Sequence, residues 1–252
     1  MSKSELAVVN EAVSSNRLFF SHGDKGGVGK SMLSALLVDH LLEIGRNVAV
    51  IEGDKGVDIA ERFAGLIKVE AENLNRAGAS NEAVMGFVDK LSNLADEGVQ
   101  DVVINLPSGA GDTLEELAPA IVDAASIIGF EPFAFYSLGH QAVGTRNALR
   151  SLNGGLLGLM AAENRCIVYP AFQGTPDKFD WVISGNRDKF DIPEIVIPAI
   201  LPPDLALKVL GFNGRFTALV GRDSPLTLGE RVILQHKWLL PALESVSVFD
   251  VK

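Results

Sequence analysis

Ser21–Ser31 reads SHGDKGGVGKS, and its residue types suit a phosphorylated ligand. Gly26, Gly27 and Gly29 let the backbone curl so that its N–H groups point inward at phosphate oxygens. Lys30 would bring a mobile positive charge to the β- and γ-phosphates, and Ser31 a hydroxyl to Mg²⁺. A helix beginning near Lys30 would add the positive end of its dipole. Asp24, Lys25, Val28 and Met32 complete the segment expected to line a nucleotide. The usual spacing of such loops puts a first glycine at position 24. This chain has Asp24 there, and an additional lysine, Lys25.

The loop needs a strand before it and a helix after it, and the pattern supplies both. Leu18–His22 is a short apolar run ending in glycine. Over Ser31–Ile44, Leu33, Leu36, Leu37, Leu41 and Ile44 share a helical face, and Gly45 stops the helix. The spacing predicts further strands at Asn47–Ile51, Asp101–Leu106, Ala124–Phe130, Cys166–Tyr169 and Ile195–Ile200. Helices are expected over Asn81–Leu94, from about Ser137 to Leu152, and from Pro225, broken at Pro241. Continuous apolar strands alternating with helices indicate a mainly parallel sheet with both faces covered. Asn153–Asn164, with three glycines among Leu and Met, reads as a loop running into a buried helix. An apolar partner surface is the alternative.

The bulk composition narrows the setting. The 252 residues carry 22 Lys+Arg against 32 Asp+Glu, a net charge of −10, which disfavours a surface built for nucleic acid. An apolar share of 47 % argues against disorder. The length fits one large α/β domain or two small ones, and a single domain over 1–252, with 1–16 as an N-terminal extension, is the expectation. Cys166 is the one cysteine, so no disulfide and no cysteine-built metal site forms within the chain. The N-terminus lacks the apolar core of a signal peptide. The longest apolar run, Gly154–Ala162, is far short of the ~20 residues of a membrane span. A soluble, cytoplasmic protein is the expectation.

The segment KGGVGKS (Lys25–Ser31) resembles the deviant phosphate loop of the ParA/MinD family of ATPases. The resemblance implies a single-domain, three-layer α/β/α P-loop NTPase with a twisted, mainly parallel sheet, using ATP and Mg²⁺. It assigns Lys25 to the lysine that reaches across a nucleotide-sandwich dimer to the partner's ATP. In VAVIEGDKGVD (Val48–Asp58) it places Asp54 on the aspartate that orients the attacking water. Glu52 stands where MinD-like proteins have an earlier aspartate. Asp58 reads first as a helix N-cap. Its spacing from Asp54 also matches a metal-proximal aspartate of the family's iron protein. DVVINLPSGAG (Asp101–Gly111) resembles the strand and switch II segment, with Pro107, Gly109 and Gly111 in place. Asn105 stands where that segment carries a magnesium-holding aspartate. Asn accepts a hydrogen bond from the metal's water but brings no charge. Ser31, Asp54, Asp58 and Asn105 are thus the candidate metal residues, and Lys25, Lys30 and Asp54 the candidate catalytic ones. Ile197–Leu210 resembles the segment bordering adenine, which makes Pro202, Pro203 and Asp204 candidates there. Cys166–Gly174 lacks the asparagine that family members often use to read the base.

Two readings stay open at Asn105. In one, Asp58 or Asp112 compensates and hydrolysis is slow. In the other, the chain is a nucleotide-binding scaffold with little turnover. A ligase or kinase of the same superfamily is a third class, against which Lys25 counts. The resemblance implies an ATP-dependent homodimer and a protein adaptor or activator, in plasmid or chromosome partition, stability or conjugative transfer. Non-specific DNA binding would need a basic cluster, for which Arg146, Arg150, Arg187, Lys189, Arg215 and Arg222 are the candidates. With this net charge such binding would be weak. Pro225–Lys252 balances Arg231, Lys237 and Lys252 against Glu230, Glu244 and Asp250, a poor membrane-binding face.

Overall fold

A computed structural model describes residues 16–23, 26–53, 58–72, 80–106 and 111–250. Seven strands form one sheet: β1 (Asn16–Gly23), β2 (Val48–Glu52), β3 (Lys68–Ala71), β4 (Asp101–Asn105), β5 (Phe130–Ser137), β6 (Arg165–Pro170) and β7 (Glu194–Ile197). Their order is β3-β2-β4-β1-β5-β6-β7, and every neighbouring pair is parallel. Among the described residues there are ten α-helices, α1 to α7 between strands and the last three after β7: α1 (Lys30–Glu43), α2 (Asp58–Arg62), α3 (Ser80–Asp96), α4 (Gly111–Ile128), α5 (Ala142–Leu152), α6 (Leu156–Leu159), α7 (Asp180–Ile183), α8 (Pro203–Leu210), α9 (Leu228–Leu234) and α10 (Leu240–Val246).

Side chains alternate across the sheet and each face buries its own helical layer. Leu18, Phe20, Ala49, Ile51, Val102 and Ile104 pack beneath α3, α4, α5 and α7. Phe19, Val48, Val50, Val103, Phe135 and Val168 pack beneath α1, α2, α8 and the α9–α10 pair. The result is the α/β/α sandwich that the sequence pattern implies, and the described residues form a single domain around one sheet.

Several boundaries differ from expectation. Ala124–Phe130 is not a strand. Ala118, Ile121 and Ala125 are buried at helical spacing and extend α4 to Ile128. Gly129, at φ +104°, ends that helix, and the strand follows at Phe130–Ser137. The helix expected from Ser137 starts only at Ala142, because Ser137 closes β5. The strand expected to reach Ile200 ends at Ile197. Asn16, placed in the extension, opens β1. The last helix opens at Leu228 rather than Pro225. Thr227 and Glu230 form a capping box there, with Glu230 N–H donating to Thr227 Oγ1 at 3.3 Å. Nor does Pro241 break the helical run. A π turn at Gln235–Leu239 precedes it, in which the Leu240 N–H reaches back five residues to the Gln235 carbonyl. That wider turn absorbs the proline's missing donor. Asn153–Asn164 follows the buried-helix reading: Leu156, Leu157 and Met160 enter the core.

The N-terminal ends of the strands are tied by charge. Asp101, fully buried, accepts from Arg17 Nε at 2.8 Å and Arg46 Nε at 2.6 Å. Arg17 also reaches Asp250, which bonds His40 Nε2 at 2.6 Å.

Candidate functional site

β1, β2 and β4 end together at one edge of the sheet. Register pairs Ser21 with Asn105 across β1–β4, and Asn105 with Glu52 across β4–β2. The chain leaves β1 here, at the point where connections run to either side of the sheet, the usual place for a ligand in an open parallel fold. Gly27 and Gly29 adopt φ +82° and +86°, a left-handed backbone that side-chain-bearing residues avoid. Gly29 is the N-cap of α1, so Lys30 and Ser31 are the helix's first two residues. Ser21 Oγ donates to the Lys30 carbonyl at 2.9 Å and fixes the helix start to β1. Val28 is buried, Lys30 is buried, and Ser31 and Met32 are half-buried.

The loop is also held from β6, by residues that the sequence pattern did not single out. Gln173 Nε2 donates to the Gly27 carbonyl at 3.2 Å, while Gln173 Oε1 accepts from the His140 N–H at 3.1 Å. Phe172, exposed, stands against Gly29: a Cβ on Gly29 would lie 3.4 Å from its ring. The signal was available as an aromatic and an amide directly after an apolar strand end, where the expectation looked for asparagine alone.

Beyond Ser31 a cleft of about 500 Å³ is lined by Met32, Ile59, Arg62, Leu210 and Phe216 among others. Arg62 closes its far side. The guanidinium donates to the carbonyls of Val209 and Leu210 at 3.1 Å and lies 4.3 Å over the Phe216 ring. Pro202 and Pro203 instead line a separate apolar cleft with Ile233, Leu234 and Trp238. Asp204 lies in the first turn of α8. Thus Ser31 and Met32 are brought together with the end of α8, and Pro202, Pro203 and Asp204 stand at its start.

Asn105 is enclosed. Its Nδ2 donates to Glu52 Oε1 at 2.7 Å, and its Oδ1 accepts from Ser34 Oγ at 3.0 Å. Asn105, Glu52 and Ser34 are all buried. Asp24, Lys25, Asp54, Pro107 and Gly109 lie outside the described residues. Asp58 is the first residue of α2, one position inside the helix rather than the N-cap expected of it. Among the described residues no group of three or more His, Cys, Asp or Glu side chains could hold a metal ion. A magnesium ion carried on phosphates needs less from the protein, often a hydroxyl and one or two carboxylates, the rest being phosphate and water. Ser31, with Asn105 and Glu52 at the same strand ends, fits that donor chemistry.

A second polar chain runs back from the loop. His22 Nε2 bonds Glu115 Oε1 at 3.1 Å, and the other Glu115 oxygen accepts the Leu156 N–H. Burial pushes the Glu115 carboxyl up, but His22, the Leu156 N–H and Ser151 together hold it below the ordinary carboxylate range. A carboxylate held low contributes stability that is present above its unfolded-state pKa and is lost as pH falls through the folded value. Wild type should therefore lose more melting temperature between neutral pH and roughly pH 3 than Glu115→Gln does. Equal losses in the two would show that the pair carries no such linkage.

The candidate DNA-binding residues do not form one patch. Arg146 and Arg150 lie on α5, over one face of the sheet, while the segment carrying Arg215 and Arg222 covers the other. Arg215 Nε is committed to Asp39 at 2.8 Å, and Arg187 Nε to Glu194 at 2.8 Å. Among the described residues no helix is long and apolar enough to cross a membrane.

Comparison with known proteins agrees with this geometry. The family model of the CobQ/CobB/MinD/ParA nucleotide binding domain matches residues 20–129. No curated protein matches the chain. Among solved structures, the MinD cell division protein of Aquifex aeolicus superposes with a TM-score of 0.52 at 17 % identity, covering 91 % of this chain and 94 % of that one. A ParA family ATPase from Chlorobium tepidum gives 0.50 at 13 % identity, covering 88 % and 99 %. The signal recognition particle receptor FtsY from Elizabethkingia anophelis gives 0.51 at 14 % identity, covering 72 % of this chain. The present chain spans only 58 % of that receptor's length and 62 % of a chloroplast FtsY from Physcomitrella patens. At these identities the likeness is one of fold.

Proposed function

We propose, from the match of residues 20–129 to the model of the CobQ/CobB/MinD/ParA nucleotide binding domain, that the chain is an ATP-dependent dimerisation switch that turns ATP over slowly with Mg²⁺. The observation that carries the reading is the loop itself. Gly27 and Gly29 take left-handed conformations and deliver Lys30 and Ser31 to the start of α1. Backbone N–H groups and the helix dipole would receive the phosphates, and Lys30 would set its charge against the terminal ones. Ser31 and Asn105 would hold Mg²⁺ and its water shell, with Asp54 and Asp58 as the further acidic candidates. When bound, the ion draws off charge that develops on the transferring phosphoryl group. Asp54 would orient the attacking water and accept its proton. Lys25 of each subunit would reach the other subunit's nucleotide and make dimerisation depend on ATP. Met32 and the cleft toward Leu210 are where the base side is expected, with Pro202, Pro203 and Asp204 at its margin. We further propose a protein adaptor as the partner and a role in plasmid or chromosome partition, stability or conjugative DNA transfer. DNA contact would be weak, given the dispersed arginines.

Light scattering on the full chain tests this directly. A doubling of mass with ATP or a slowly hydrolysed analogue, and none with ADP, is the expected result. A mass indifferent to nucleotide sinks the switch. One observation favours a second reading, a nucleotide-binding scaffold: both ends of the Asn105 amide are already engaged by Glu52 and Ser34. Turnover in wild type that disappears in Asp54→Ala excludes the scaffold.

A further inference from the structure

We propose that Glu52 supplies the negative charge that Asn105 lacks, so that the carboxylate serving the magnesium water shell sits at the end of β2 rather than of β4. This rests on the nucleotide reading above and assigns a residue within it. Glu52 and Asn105 are register partners and the last residues of their strands, so their side chains meet at the edge where the phosphate loop leaves β1. Asn105 Nδ2 donates to Glu52 Oε1 at 2.7 Å, and Ser34 Oγ donates to Asn105 Oδ1 at 3.0 Å. Glu52 as acceptor and Ser34 as donor together fix which way the amide points.

That orientation explains why residue 105 is an amide. An aspartate there would set a second carboxylate oxygen 2.7 Å from Glu52, and two such groups cannot both ionise at that distance. Asparagine instead donates to Glu52 and favours its charged form. The amide at 105 and the charge at 52 therefore support one another. Ser34 extends the chain toward the ligand. It lies three residues after Ser31 on α1, hence on the same helical face, and its Cα–Cβ bond tilts toward the helix start. Glu52 is only 4 % exposed, so little water screens its field from a cation held at the first turn of α1.

The test measures ATP affinity of the full chain by calorimetry, in MgCl₂ and in EDTA. Glu52→Gln keeps the shape and still accepts from Asn105, but removes the charge. The factor by which MgCl₂ tightens ATP binding, the ratio of the affinities in the two buffers, should fall by ~10-fold or more, the usual effect of losing a metal's outer partner. Adding Asn105→Asp to Glu52→Gln returns a carboxylate to the pair with the amide now on β2, and should restore the magnesium effect. Asn105→Asp alone should not increase it. A wild-type magnesium effect that survives Glu52→Gln intact overturns the proposal, as does a double variant no better than the single one. A wild type that binds no ATP in either buffer overturns the proposed function itself.

Discussion

Lys30→Met should weaken ATP binding by on the order of 10²–10³-fold while leaving the fold in place. The lysine is buried at the first position of α1, with Ser21 Oγ holding its carbonyl and Gly29 capping the helix before it. Methionine keeps an unbranched apolar stem in that space and removes only the ammonium. Truncating one member of a desolvated charge pair costs ~2–5 kcal/mol, and each ~1.4 kcal/mol is tenfold in affinity. Fluorescent-nucleotide displacement, with a melting curve beside it, checks both halves of the expectation. An affinity within a few-fold of wild type would mean that the phosphates are received elsewhere.

Asp101→Ala is expected to produce the largest loss of stability, and to do so without touching the nucleotide site. Asp101 opens β4 at the end opposite Asn105. Its two oxygens are shared by Arg17, through Nε and a terminal nitrogen at 2.8 and 3.2 Å, and by Arg46 at 2.6 and 3.1 Å. Burial lowers the Arg17 pKa, but Asp101 and then Asp250 raise it by more, so the guanidinium stays charged. Removing the carboxylate leaves that charge inside the protein, and breaking a buried pair in this way costs ~3–5 kcal/mol. For a chain of this size the melting temperature should fall by on the order of 10 °C. ATP affinity measured well below the transition should not change. A fall of only a degree or two would show the network to be as weak as an exposed ion pair.

The contrast between these two sites reflects what the sequence could disclose. The phosphate loop is local: glycines, lysine and serine sit within seven residues, and their spacing carries the chemistry. The Asp101 network joins residues 17, 46, 101 and 250, which only the sheet order brings together. The Glu52–Asn105 contact has the same character, since β2 and β4 become neighbours through topology and not through proximity in the chain. Strands were legible where apolar runs were clean, as at β2 and β4. β3, KVEA, is a short edge strand with two charged residues and carries no apolar run. β5 begins Phe-Glu-Pro, and its charge and proline obscured a strand that lies well inside the sheet. The apolar stretch just before it belonged to α4, where Ala125 and Ile121 face the core one turn apart. Pro241 misled for a different reason: a proline's effect depends on the turn ahead of it, and a π turn leaves no sequence signature of its own.

The strand order also sets a timetable. β1 lies between β4 and β5, so Arg17 pairs with Asp101 on one side and with Glu131 on the other. As the chain leaves the ribosome, the segment bearing the phosphate loop lacks one neighbour until β4, at Asp101–Asn105, has been made, and the other, β5, until more than half of the protein has. Pairings this distant in sequence are slow to form, because loop-closure entropy is lost before any contact offsets it. Until then Leu18, Phe19 and Phe20 are exposed apolar surface in a growing chain, the kind of segment that chaperones cover. Acquisition of ATP affinity during refolding would then mark the closing of the sheet rather than the first collapse.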